Sequence, residues 1–139
     1  MNDLSGSKQF LISGSCEHVK QLAVSLLAVY QSLGLNDRQA SALKLALDEA
    51  VTNAIVHGHR GDRSKLIRVD FVWSPSEITV TVADQGPGFN CSELPNPTRS
   101  CNLLKEGGRG LYIISAIMNH VAFNDKGNEI RMTLNRQGC

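Results

Sequence analysis

The stretch Asp48-Glu49-Ala50-Val51-Thr52-Asn53-Ala54-Ile55-Val56-His57-Gly58 reads as the last turns of a helix. It sets a carboxylate and a carboxamide four residues apart in an otherwise apolar run. Residues at i and i+4 share a helical face. Glu49 and Asn53 therefore point together, beside Leu43, Leu47, Ala50, Val51 and Ala54. A polar pair at the edge of a core costs free energy unless a partner satisfies it. A metal ion, with a nucleophile to activate beside it, is one such partner. Two polar residues at the solvent edge of a helix, with the Asn bonded locally, are the plainer reading.

Working outward, Asn36 or Asp37 caps this helix, which runs to His57 with Gly58 as its stop. An earlier helix spans Glu17 to Leu33, where Val19, Leu22, Leu26 and Tyr30 keep the helical period. Gly34 ends it. Gln9 to Ile12 is a short strand. Leu66 to Trp73 alternates, with Ile67, Val69, Phe71 and Trp73 against Arg68 and Asp70. Ile78 to Ala83 alternates again after Ser74-Pro75-Ser76, so the two form a hairpin with one buried face. A third helix begins near Gly108 and carries Leu111, Ile114, Ile117 and Met118. Val121 to Asn124 and Glu129 to Asn135 close the chain as a second hairpin. Between these elements Asn90 to Glu106 shows no periodicity, and a loop that long is usually functional or mobile.

This pattern predicts an α+β fold of two layers: about three helices over one face of a mostly antiparallel sheet, the other face left open. The 139 residues suit one domain, expected over 9–136 behind a loose polar segment 1–8. A net charge of +1 offers no electrostatic footprint for nucleic acid or an anionic membrane. No apolar run approaches bilayer-spanning length, and no signal-peptide pattern opens the chain. The four cysteines, at 16, 91, 101 and 139, lack zinc spacing and read as reduced thiols, with a Cys91–Cys101 disulfide unsupported.

Two glycine-bearing segments join the helical pair. Asp84-Gln85-Gly86-Pro87-Gly88-Phe89 leaves the end of a strand. The acid suits an exocyclic amine, and the glycines let backbone lie against a flat ring or a phosphate. A plain turn is the alternative. Gly107-Gly108-Arg109-Gly110-Leu111 opens the third helix, where unpaired N–H groups make an anion site. Its alternative is a flexible hinge. It is neither a Walker loop nor the dinucleotide fingerprint.

In combination and in this order, the three segments resemble the GHKL ATPase/kinase superfamily of gyrase, heat-shock chaperones, histidine kinases and MutL. Glu49-x-x-x-Asn53 is similar to its N box, Asp84-x-Gly86-x-Gly88 to its first glycine box, and Gly108-x-Gly110 to its second. The short length and the run Glu-Gly-Gly-Arg-Gly-Leu-Tyr-Ile-Ile resemble one branch, the bacterial anti-sigma-factor serine kinases of stress-response and sporulation switches. The likeness extends from about Phe10 to Leu134.

The resemblance implies a Bergerat-type ATP-binding fold and a set of roles. Asn53 would ligate Mg²⁺ bridging the ATP phosphates, and Asp84 would take the adenine amino group. Gly86 and Gly88 would pass close to the base. Gly108, Arg109, Gly110 and Leu111 would hold phosphates, with Lys105 in the region where the branch carries a basic residue. Glu49 would be the general base toward a serine hydroxyl. The implied partners are a sigma factor and a STAS-type anti-sigma-factor antagonist, in a cytoplasmic homodimer. The rival readings are an ATP-binding anti-sigma module without kinase activity, a histidine-kinase catalytic fragment, and a bare ATPase. His57 and His59 read as surface or capping residues.

Overall fold

The computed structural model describes residues 5–59, 61–62, 64–86 and 109–136. The elements follow in the order β1 (Gly6–Ser13), α1 (Cys16–Ser32), α2 (Asp37–Asn53), a π-helical turn (Ala54–Gly58), β2 (Leu66–Trp73), β3 (Glu77–Ala83), α3 (Arg109–Ile117), β4 (His120–Phe123) and β5 (Glu129–Asn135). The strands make a single five-stranded sheet in the order β1-β2-β3-β5-β4. Every pairing is antiparallel, which is the expected α+β architecture.

Local chemistry sets the helix ends. Ser15 caps α1 by accepting from the His18 amide. At the other end Gly34 sits at φ 70°, which a side chain would disfavour. The Leu35 amide then reaches the Tyr30 carbonyl at 3.3 Å and the Gly34 amide reaches Gln31 at 3.1 Å, a Schellman closure. Asn36, rather than Asp37, caps α2. It forms a reciprocal box with Gln39, at 2.7 and 3.0 Å.

Alternation in the strands builds the core. Ile67, Val69 and Phe71 of β2 face the helices with Ile78, Val80 and Val82 of β3 and Ile130, Met132 and Leu134 of β5. Register brings Phe71 opposite Val80, and Val80 opposite Met132. The helices bury Leu22, Leu26, Leu43, Leu47 and Ala50 on this layer, and α3 adds Ile114. The opposite sheet face is largely polar, and no described helix covers it. Gln9 donates to Asp70 at 2.6 Å, and Arg68 pairs with Asp70 and Glu129, each at 2.9 Å. Val72 and Leu11 stand exposed beside them.

β2 and β5 have the expected bounds, and most other elements shift by a residue or so. The largest difference is β1, which begins at Gly6 rather than Gln9. Gly6 to Lys8 therefore pair with β2 instead of belonging to a loose leader. The reason is packing: Gly6 lies under Trp73, and a Cβ there would come within 2.5 Å of the indole. No period marks a strand end that is held by one aromatic ring. The expected loop Asn90–Glu106, with Cys91 and Cys101, lies outside the described residues, as does Cys139. Cys16 is free and exposed.

Phe71 is fully buried, with ring contacts to Tyr30 at 5.7 Å and Trp73 at 5.9 Å. Phe71→Ala is expected to cost about 3–5 kcal/mol. A lower urea midpoint at unchanged slope would show it. A midpoint equal to that of the native chain would mean that the site collapses around the smaller residue.

Candidate functional site

The Glu49/Asn53 helix does not stop cleanly. After Asn53 the chain widens into the π turn, and the His59 amide donates to the Ala54 carbonyl at 2.8 Å, an i→i−5 bond. The segment reaches as far as expected, but Gly58 is not the C-cap glycine of an α-helix. The left-handed glycines among the described residues are Gly34, Gly61 and Gly127. Gly58 is needed for clearance instead. A Cβ on it would stand 2.5 Å from the Asp84 carboxylate at the end of β3. A Cβ on Gly86 would run into the Gly58 carbonyl oxygen. The wider turn carries the backbone of Gly58 directly onto the Asp84–Gly86 turn.

That turn is held from three sides. The Asp84 amide donates to the Asn128 carbonyl at 2.9 Å, and the Asn128 side-chain amide donates to the Gly86 carbonyl at 3.2 Å. The Leu66 amide donates to Oε1 of Gln85 at 2.7 Å. The Gln85 amide donates to Nε2 of His59 at 2.8 Å. Within the turn, Oδ1 of Asp84 accepts from the Gly86 amide at 2.7 Å. Among the described residues its other oxygen has no partner.

Burial pushes the Asp84 carboxyl above its ordinary pKa, while the Gly86 N–H pulls it part of the way back. A half-buried acid with one free oxygen suits a donor that arrives with a ligand, such as an exocyclic amine. Glu49 and Asn53 lie on α2 one turn apart, both half-buried. Neither side chain is engaged by another described residue. α3 packs against α2, so the helix that starts at Arg109 lies beside the one carrying this pair. Its first turn holds Arg109, Gly110 and Leu111; Gly88, Lys105 and Gly108 lie outside the described residues.

Over residues 12–134 the sequence matches the family described as the histidine kinase-like ATPase domain. The chain belongs to that family. Membership makes ATP the ligand of this domain. The curated relatives include the serine-protein kinase RsbW of Bacillus licheniformis, 30% identical over 87% of this chain and 81% of its own length. The RsbW of Bacillus subtilis is 29% identical over 84% and 78%. Among solved structures, the RsbU and RsbW domains of a Mycobacterium tuberculosis protein superpose with a TM-score of 0.65 at 16% identity. That match covers 95% of this chain and 32% of the other, and it speaks for the histidine kinase-like ATPase fold alone.

Two residues of this candidate site carry more than the sequence reading gave them. His59, expected as a surface or capping residue, does cap the π turn but is only 3% exposed. Asn128, expected as an ordinary hairpin residue, braces the Asp84 turn. Nothing periodic marks either one; each acts through a contact between segments far apart in sequence.

The raised Asp84 pKa gives a test with a definite sign. A folded-state pKa above the unfolded value contributes stability below the unfolded pKa, and that stability is lost as pH rises through the folded one. Asp84→Asn is therefore expected to gain on the native chain in urea midpoint as pH rises from the ordinary carboxylate range to neutral. A midpoint difference constant with pH would rule out the burial of this charge.

Proposed function

We propose that this chain is an ATP-dependent serine-protein kinase of the anti-sigma-factor type. It phosphorylates a serine on a STAS-type anti-sigma-factor antagonist and, in a rival complex, holds a sigma factor inactive. The observation that carries the reading is the meeting of two segments. The end of the Glu49/Asn53 helix abuts the half-buried acid that closes β3. The RsbW relatives, named as serine-protein kinases, support the choice of acceptor.

The described residues contain no group of three or more His, Cys, Asp or Glu side chains able to hold a metal ion. Mg²⁺ fits nonetheless, because it is commonly held by one or two protein ligands and the substrate phosphates. Asn53, with no partner among the described residues, is the residue that would hold it. Bound Mg²⁺ supplies charge neutralisation across the phosphates.

The protein's share is positioning. Asp84 accepts the adenine amino group on its free oxygen. Gly86, with Gly88 beyond it, leaves room for the base. The first amides of α3, with Gly108, Arg109, Gly110 and Leu111, receive phosphate oxygens, and Lys105 supplies a cation there. Glu49, one helical turn from Asn53, takes the proton of the attacking serine hydroxyl. Both sit on a rigid helix, which keeps base and nucleotide in register. The same proposal includes a homodimer acting in the cytoplasm. No helix among the described residues is long and apolar enough to cross a membrane.

Incubation with labelled ATP and candidate antagonists tests the reaction. Serine-linked label on a partner supports it. ATP binding without transfer points to a binding module, acid-labile histidine label to a histidine-kinase fragment, and phosphate release alone to an ATPase. Glu49→Gln is expected to keep ATP binding and to lower transfer by roughly 10²–10⁴. A near-native rate would remove Glu49 as the base. Asn53→Ala is expected to abolish the Mg²⁺-dependent part of ATP binding in calorimetry run with the metal and with a chelator. Equal binding in native and variant chains would count against the metal role.

A further inference from the structure

We propose that His59 is a positioning residue for adenine recognition, tying the turn that carries Asp84 to the end of the Glu49/Asn53 helix. The inference rests on the reading of Asp84 as the adenine-binding acid.

His59 follows the π turn, and its backbone is pinned on both sides. Its amide donates to Ala54 at 2.8 Å, and its carbonyl accepts from the Asp62 amide at 3.0 Å. The ring is buried and spans to the next segment, where Nε2 accepts from the Gln85 amide at 2.8 Å. An imidazole nitrogen that accepts from an N–H carries no proton, so the proton of the neutral ring is on Nδ1. That Nδ1 is buried and has no partner among the described residues. The ring leaves one donor unmet while it presents an acceptor to the residue between Asp84 and Gly86.

The other braces of this turn come from elsewhere. Asn128 holds it from the β4–β5 hairpin, and Leu66 reaches Gln85 from β2. Among the described side chains, that of His59 is the one linking the turn to the end of α2. Gly58, the preceding residue, is in van der Waals proximity to Asp84 itself. The pair Gly58-His59 thus sets how far the adenine acid stands from Asn53. A nucleotide has a fixed length between base and phosphates, so that distance decides whether both ends engage at once. His59 touches neither end; it acts through Asp84.

The test compares His59→Leu, which removes the acceptor, with His59→Gln, whose Oε1 stands near the place of Nε2. For His59→Leu, the Kd and KM for ATP are expected to rise on the order of tenfold, the loss of about one such hydrogen bond. Saturated turnover should stay within about twofold of native, since no reacting group moves. The Kd for GTP, which lacks the exocyclic amine that Asp84 accepts, should change little. His59→Gln is expected to restore most of the ATP affinity.

A folded His59→Leu chain that binds ATP as the native one does would overturn the proposal. So would an equal loss for ATP and GTP. If His59→Leu does not fold, the His59→Gln chain and the native protein decide. Nitrogen NMR of the native His59 ring should show a bare Nε2 coupled to the Gln85 amide, and a protonated Nε2 overturns the assignment. Failure of the native chain to bind ATP at all would instead remove the nucleotide reading beneath it.

Discussion

The contact on which the site depends is one of backbone against backbone. Gly58 and Gly86 approach so closely that a single Cβ on Gly86 would strike the Gly58 carbonyl. One partner ends the helix that bears Glu49 and Asn53; the other follows the acid at the end of β3. Backbone cannot yield as a flexible side chain can. Any larger residue at Gly86 would force the two segments apart and the acid away from the helical pair. The sheet order makes the approach possible, because β3 lies at its centre and α2 packs over β3 and β5.

The turn geometry explains why an α-helix was not carried through to Gly58. A bond from residue i to i−5 widens the last turn and changes where its final residue sits. Here the displaced residue is the glycine that meets Asp84. π turns occur often at functional sites because they aim a short segment without breaking the helix that supports it. Glu49 and Asn53 keep true α geometry, so their shared face is preserved while the segment after them is re-aimed.

The fold was largely legible in the sequence for a physical reason. Strands such as Leu66–Trp73 are buried on one face, so alternation is imposed at every residue and even their ends show. α1 and α2 carry a period and recognisable caps. What stayed hidden depends on contacts between distant segments. The start of β1 is set by Trp73 over Gly6. The π turn has the same apolar composition as the helix before it. His59 and Asn128 gain their meaning from Gln85 and Gly86. For the candidate site, Glu49 and Asn53 stood out as polar types in an apolar helical run, and Asp84 and Gly86 as an acid and a glycine directly after a strand. The residues that hold them in place did not.

Unmet polar groups are a weak guide to function when taken singly. Two buried side-chain atoms lack partners among the described residues, the indole nitrogen of Trp73 and Nδ1 of His59. Trp73 lies over Gly6 with Phe71 beside it. His59 differs in its company. Next to it stands an acid raised in pKa by burial, and the helix leading to it carries a carboxylate and a carboxamide; among the described residues one oxygen of the acid and both of these side chains lack a partner. A folded chain normally satisfies such groups, because each one left open lowers its stability. Local rules are broken mainly where function requires it. Several of these groups stand around one helix end and the strand end it meets. That concentration, more than any one residue, singles out this place as the candidate site.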